Sequence, residues 1–363
     1  MRVHFVNENV GGHATMHANV RQALVRHPDI EATFWDVPKD VLAARVVSAS
    51  WPGLARLDLD LHLVRARLAQ SALVRRHLGR LPDTPDVLHL YTQNTGWLST
   101  GMMQRVPTVA SIDATNRQNA YRLPQRRPTR FTPLTVALGH PWERRVFEAS
   151  RAIVAHSRWA ADAVAGYGIS FRKIHVVPFG IDVGAEITRA SDGGLPRILF
   201  VGTSMERKGG WRLLDIWRRR LRGTSRLVLV TPERVPHTDD VEVHGDVRPG
   251  DGKLEMILAA ADVYVMPSEI DAFGYAILEA MAASLPVVAP GQAAVPELVD
   301  DGVTGLVVPP GDDDALGAAL ERLVADRGMR EEMGAAGRRR ALARFDAQTT
   351  TDALVEILRD VAA

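Results

Sequence analysis

No cysteine occurs among the 363 residues, so neither a disulfide framework nor a thiolate metal site is available. That fits a reducing compartment. Lysine is scarce: Lys39, Lys173, Lys208 and Lys253 are four among 44 basic residues. Against this arginine-rich background Lys208 stands out, because of the loop that holds it. No apolar run approaches the roughly 20 residues that cross a bilayer. The opening stretch Met1-Arg2-Val3-His4-Phe5-Val6-Asn7-Glu8 reads as a first strand, and its apolar part is too short for a signal peptide. A cytoplasmic location is therefore expected. Low-complexity segments are missing too, and a hydrophobic content of 46% is ordinary for a globular protein.

The chain is long enough for two domains, each with its own core. Its net charge of +1 conceals a split. Residues 1–178 hold 23 basic and 13 acidic residues, a balance of +10; the remainder holds 21 and 30, a balance of −9. The basic first half is expected to meet something anionic. Arginines group at Arg65–Arg80 and again at Arg117–Arg130. The stretch Arg65–Arg80 reads as a basic helix, either a solvated face or a contact for an anionic membrane surface or acceptor. Just before it, Leu57-Asp58-Leu59-Asp60-Leu61-His62-Leu63 alternates like a strand or an extended loop.

Apolar, β-branched runs recur in two sets. The first is Val3–Val6, Thr33–Val37, Val87–Tyr91, Thr108–Ile112, Ile153–Ala155 and Ile174–Val177. The second is Ile198–Val201, Leu227–Val230, Val241–His244, Val263–Met266, Pro286–Ala289 and Leu306–Val308. Helical patterns lie between most of them. Alternation of this kind argues for parallel sheets covered by helices, and two sets argue for two doubly wound α/β domains. The join falls near Pro178-Phe179-Gly180-Ile181-Asp182, followed by the polar Ser191-Asp192-Gly193-Gly194.

The most informative segment is 266–288. A strand ends in a polar loop with Glu269, Asp271 and Phe273-Gly274, a helix runs to Ala283, and a second apolar run follows from Leu285 to Pro290. Free N–H groups and the dipole at the start of that helix favour an anion. Gly274 permits close backbone approach there. Glu279 lies about one turn inside, its side chain leaning back toward the N-terminus. The segment thus offers donors for phosphate and acceptors for ribose and sugar hydroxyls.

This string, with Pro296-Glu297-Leu298-Val299 and Gly302-Val303-Thr304-Gly305-Leu306-Val307-Val308 downstream, resembles the retaining glycosyltransferases of family 4. Their signature is an acid, then Phe-Gly, then Glu eight positions after the first acid. Here these are Asp271, Phe273-Gly274 and Glu279, with Asp271 where the family usually has Glu. The resemblance implies the GT-B architecture: two Rossmann-like domains facing across a cleft. Residues 1–180 would form the acceptor-side domain, 181–345 the domain binding the nucleotide-sugar donor, and 346–363 a helix crossing back to the first.

On the same resemblance, the loop Gly202-Thr203-Ser204-Met205-Glu206-Arg207-Lys208-Gly209-Gly210 would hold the donor diphosphate through Arg207 and Lys208. The family's usual Arg after the strand's Gly is Thr203 here. Gly11 and Gly12, after the first strand, would face the donor across the cleft; they are not the dinucleotide fingerprint, which disfavours a nicotinamide enzyme. The base would lie near Val243-His244-Gly245, the ribose on Glu279, the diphosphate against the Phe273-Gly274-Tyr275 backbone, and sugar hydroxyls on Asp271. Asp113 stands where relatives often have His; it binds an acceptor hydroxyl, orients the sugar, or is a plain turn residue. Tyr91-Thr92-Gln93-Asn94 and Asn116-Arg117-Gln118 are polar rims beside it, and Ser157 either touches the donor or caps a helix. His13 and His17, four apart, lack a third ligand.

The implied chemistry is retaining transfer by front-face attack, the leaving phosphate helping to deprotonate the acceptor. Lys208, Arg207, Asp271 and Asp113 would carry it, with no metal and no other cofactor. The implied partners are a nucleotide sugar, an acceptor that is a glycan, a lipid-linked sugar or a small molecule, and an anionic membrane touched peripherally through the basic first domain, at its inner face. Nucleic acid is not expected. The alternatives are a nucleotide-sugar-binding protein that has lost catalysis, and an epimerase or phosphorylase on the same fold.

Overall fold

The computed structural model describes residues 1–8, 13–38, 42–120, 128–184, 194–236, 238–248, 250–268 and 271–363. It divides into two compact units, Met1–Gly180 with Ala347–Ala363, and Ile181–Asp346. Each contains one six-stranded sheet, parallel throughout.

In the first unit the strands are β1 (Arg2–Asn7), β2 (Glu31–Asp36), β3 (Val87–Tyr91), β4 (Thr108–Ile112), β5 (Ala152–Ala155) and β6 (Ile174–Val176), in the order β2-β1-β3-β4-β5-β6. In the second they are β7 (Arg197–Val201), β8 (Arg226–Val230), β9 (Val241–His244), β10 (Val263–Val265), β11 (Val287–Pro290) and β12 (Gly305–Val308), in the order β12-β11-β10-β7-β8-β9. Each of the twelve apolar runs becomes a strand, its ends moved by at most two residues. Most of these strands are buried on both faces and read as near-continuous hydrophobic runs, which is why they are legible, while β2, β6 and β9 are only partly buried. The helix Ala347–Ala362 belongs to the first unit, where Leu354, Val355, Ile357 and Leu358 pack with Val3, Phe5, Val87 and Val109. The second core gathers Phe200, Trp217, Leu229 and Val265 with Leu320 and Leu323 of the helix Asp313–Ala325.

Two sequence expectations are corrected between β2 and β3. Residues 56–60 form a turn, not a strand, and the helix His62–Leu78 follows directly. Both aspartates are taken up by the turn. Asp60 accepts hydrogen bonds from the Ser50 hydroxyl and the Trp51 and His62 N–H groups at 3.2–3.3 Å. Asp58 accepts from the hydroxyls of Thr129 and Thr132. Short acidic side chains that capture local donors favour turns over ladders. The helix itself is not a uniform basic face. Arg65 donates to the carbonyls of Asp60, Val47 and Ala49 and lies 4.3 Å over the Trp51 ring. Arg67 is desolvated beside the charges of Glu143 and Glu8. Arg75, Arg76 and Arg80 are exposed.

Candidate active site

In the second sheet β7 and β10 are neighbours, although β8 and β9 lie between them in the chain. The chain winds one way from β7 and the other way from β10. Such a switch point leaves a crevice at the carboxyl ends of the two strands, where ligands bind in open α/β sheets. The loops after β7 and β10 are those singled out from the sequence. They pack backbone to backbone. Gly209 has φ +75°, and a Cβ there would stand 3.0 Å from the Pro267 carbonyl oxygen. Gly209→Ala is therefore expected to cost about 1–3 kcal/mol, read as a lowered urea midpoint. Gly245, after β9, is the contrast. It is exposed, and a Cβ would meet the Thr231 carbonyl oxygen at an ordinary 3.5 Å. Gly245→Ala is expected to stay within about 0.5 kcal/mol of wild type. Equal losses in the two variants would contradict this packing.

Lys208 and Asp271, 63 positions apart, form an ion pair across the switch point. The second carboxylate oxygen of Asp271 is buried, with no hydrogen-bond partner among the described residues. Arg207 is half-buried, and its Nη2 donates to the Thr203 hydroxyl at 3.2 Å. Its guanidinium thus reaches the position where the family usually has Arg. The loop after β7 is fixed from the loop after β8 by Glu233, whose Oε1 accepts from the Met205 N–H at 3.0 Å. The loop after β10 is fastened by Gln292, which donates to the Ser268 carbonyl at 2.9 Å, and by the Ala294 N–H to the Ala272 carbonyl at 3.1 Å. Glu233 and Gln292 were missed in the sequence, because nothing local distinguishes them from solvated loop residues.

Gly274, at φ +83°, opens the helix Tyr275–Ala282. Phe273 is buried and Tyr275 half-buried. Glu279 lies on this helix, half-buried, with no hydrogen bond or ion pair of its side chain among the described residues. Burial, then the charge of Glu255, pushes its carboxyl up to about 7. A desolvated carboxylate without donors is an energetic liability in the empty protein. Gly245 lies two strands from β7, so about 9–10 Å along the sheet edge at ordinary strand spacing. Among the described residues no group of three His, Asp or Glu side chains stands ready for a metal ion.

In the first unit Asp113 is half-buried just after β4. Gly11 and Gly12 lie outside the described residues, as does Glu269. Ser157 caps the helix Arg158–Ala165 by accepting from the Ala160 N–H. His17 is a core histidine, 3.0 Å from Asp36 and edge-on to Phe34. The rims 91–94 and 116–118 are tied together by Glu143, which the sequence reading missed. Glu143 is fully buried and accepts from Gln93 Nε2 at 2.8 Å, the Asn116 N–H at 2.7 Å and the Tyr167 hydroxyl. Burial raises its carboxyl above the ordinary range, against the pull of these three donors. A signal was present: Glu143 falls on the buried stripe Thr135, Gly139, Val146 of its helix. Glu143→Gln sets an amide N–H among donors and is expected to cost about 1–3 kcal/mol in urea unfolding. Wild-type stability would show that the three contacts are not what holds these loops.

A family profile described as Glycosyltransferase Family 4 matches residues 10–185, and one described as Glycosyl transferases group 1 matches residues 195–326. The chain belongs to glycosyltransferase family 4. Among curated relatives, an alpha-maltose-1-phosphate synthase of Mycobacterium tuberculosis is 40% identical over 118 residues, 31% of this chain and 30% of that enzyme. One from Mycolicibacterium smegmatis is 31% identical over 256 residues, 61% of this chain and 66% of that enzyme. The family member described here therefore spans less than two thirds of those relatives' lengths. Sucrose-phosphate synthase from Thermosynechococcus elongatus shares the fold, with a TM-score of 0.76, 18% identity and 99% of each chain covered. So does Anabaena HepE in complex with UDP-glucose, with a TM-score of 0.69, 17% identity, and 99% of this chain and 100% of that one covered. The two-domain α/β fold is that of the GT-B glycosyltransferases. No helix among the described residues is long and apolar enough to cross a membrane.

Proposed function

We propose that the chain is a retaining glycosyltransferase that moves a sugar from a nucleoside diphosphate to an acceptor hydroxyl. The observation that carries this is the bare carboxylate of Glu279, one turn inside the helix that opens beside Lys208 and Asp271. Ribose hydroxyls supply the donors it lacks. The diphosphate meets Lys208, Arg207 and the N–H groups after Gly274. Its arrival replaces Asp271 as the partner of Lys208, and Asp271 turns to the hydroxyls of the sugar. The base lies toward Gly245. Family membership supports the reading, as does HepE, a fold relative whose structure holds UDP-glucose.

In the transfer the bond from the anomeric carbon to the leaving phosphate oxygen breaks. The bond to the acceptor oxygen forms on the same face, and the acceptor proton passes to the leaving phosphate. Lys208 and Arg207 offset the charge that gathers there, so no metal is required. The acceptor is a glycan, a lipid-linked sugar or a small molecule, met by the first unit near Asp113. Incubation with a panel of nucleotide sugars in excess chelator tests the reading. Slow release of free nucleoside diphosphate from at least one donor is expected. Release that appears only when magnesium is restored would contradict the metal-free site.

A further inference from the structure

A cavity of about 1260 Å³ opens in the first unit, at the amino ends of its strands. Arg105 comes just before β4, Arg151 just before β5 and Lys173 just before β6, and all three line it. Asp113 and the rims at 91–94 and 116–118 follow the carboxyl ends of β3 and β4. The 5 residues of β4 lie between, roughly 16 Å at the ordinary rise per residue. The helix Ala347–Ala362 forms one wall with Ile357 and Asp360. The last turn of the helix Thr132–Ala149 forms another with Arg145 and Glu148. Met103, Ala152 and Ile357 are buried, so the floor is apolar.

The charge around that floor is out of balance. Arg105, Arg145, Arg151 and Lys173 stand against the acids Glu148 and Asp360. Glu148 is already paired at 2.8 Å with Arg144, which does not line the cavity. Arg105, Arg145 and Arg151 make no ion pair among the described residues. Lys173 uses two of its three donors on the carbonyls of Phe147 and Glu148, at 3.4 and 3.0 Å. The third has no partner among the described residues. Burial holds the Lys173 ammonium below its ordinary range; Glu148 pulls the other way, and the charge of Arg151 adds to the fall. Like charges gathered in a concave wall without counter-charge attract an anion.

We propose that this cavity binds a small soluble phosphorylated compound, at a site distinct from the transfer chemistry. Arginine forks and the remaining lysine donor suit phosphate oxygens. The apolar floor takes the carbon skeleton. Ordinary ligand sites span roughly 300–1,000 Å³, so a phosphate with a sugar-sized or nucleoside-sized body fits here. The occupant also bears on the acceptor-side loops. Glu143, about one turn before the cavity on the helix Thr132–Ala149, ties together the rims beside Asp113. The proposal does not depend on the donor site.

Calorimetric titration of pyrophosphate into the full chain tests it. The Lys208→Ala, Glu279→Ala double variant weakens the donor site as a rival for the probe, and saturable binding should persist in it. Arg105→Gln with Arg151→Gln, added to that double variant, should weaken the binding at least about tenfold, through the loss of charge-assisted contacts. Both arginines are exposed, so melts without ligand should match the parent. Arg75→Gln with Arg76→Gln, equal in charge but outside the cavity, should leave the affinity as it is. Equal weakening by the two pairs would overturn the proposal in favour of diffuse attraction to a basic unit. Affinity unchanged by Arg105→Gln with Arg151→Gln would overturn it as well, and so would binding that disappears with the donor-site substitutions. Capture by phosphatidic acid vesicles, with no binding of pyrophosphate or glycerol 3-phosphate, would overturn it in favour of a lipid headgroup.

Discussion

Replacing Lys208 with Ala is expected to lower transfer by a hundredfold or more while the protein still folds. The side chain is half-buried at the switch point, and its ammonium pairs with Asp271. In the donor complex it faces a diphosphate whose charge grows as the bond to the sugar breaks. Removing one such preorganised charge costs about 2.7–4 kcal/mol of transition-state stabilisation. The variant also loses the partner of Asp271, whose second oxygen has none among the described residues. Melting of the unliganded variant therefore reports a separate, smaller effect of an orphaned carboxylate. Steady-state release of nucleoside diphosphate checks the main one. Turnover within a few fold of wild type would remove Lys208 from the diphosphate site. Lys208→Arg should recover only part of the loss, because the planar guanidinium differs in reach and shape from a compact ammonium.

Glu279 is expected to give the second large effect, one with a pH signature. Its carboxyl is raised to about 7 in the folded protein, from an ordinary 4.5. The folded state therefore holds this proton more tightly than the unfolded chain does. Charging Glu279 costs stability that is absent below about pH 4.5 and fully incurred above about pH 7. Glu279→Gln should accordingly be more stable than wild type at pH 8, by about 1–3 kcal/mol, with the difference vanishing near pH 4–5. Ribose hydroxyls donate to the ionised form, so ligand binding works in the opposite direction. Nucleoside diphosphate affinity should rise with pH up to about 7, with a proton released on binding below that. Calorimetry in buffers of different ionisation heat reads the proton directly. In Glu279→Gln only the titration of the nucleotide itself should remain, and affinity at pH 8 should fall about tenfold or more, the loss of a charge-assisted contact. An identical pH profile in wild type and variant would separate Glu279 from the ribose.

Much of the fold was legible because a parallel strand buried on both faces has to be apolar along its length. Val87–Tyr91 and Leu227–Val230 show this directly. Where the chain is half-exposed the signal failed. Leu57–Leu63 alternates as a strand would, yet Asp58 and Asp60 find donors at Thr132, Ser50 and Trp51 and bend the segment into a turn. The cationic loop and the Asp271–Glu279 segment were legible as separate pieces. That they meet was not, since Lys208 and Asp271 become neighbours only through the placement of β10 against β7. Glu143 was missed in the sequence, where it stands beside Arg144 and Arg145. Its burial depends on Gln93, Asn116 and Tyr167, which approach from other loops. Arg65 likewise looked solvated, and its three carbonyl partners are set by a fold that spacing does not reveal.

The central claim is that the loops after β7 and β10 bind a nucleotide sugar through Lys208, Asp271 and Glu279. Isothermal titration of UDP-, GDP- and ADP-sugars into the wild-type chain, in excess chelator, tests it most directly, repeated with the Lys208→Ala, Glu279→Ala double variant. Saturable one-to-one binding of at least one donor, lost in a double variant that still melts cooperatively, is the predicted result. Binding of equal strength in the double variant would contradict the account, as would no binding of any donor at millimolar concentration.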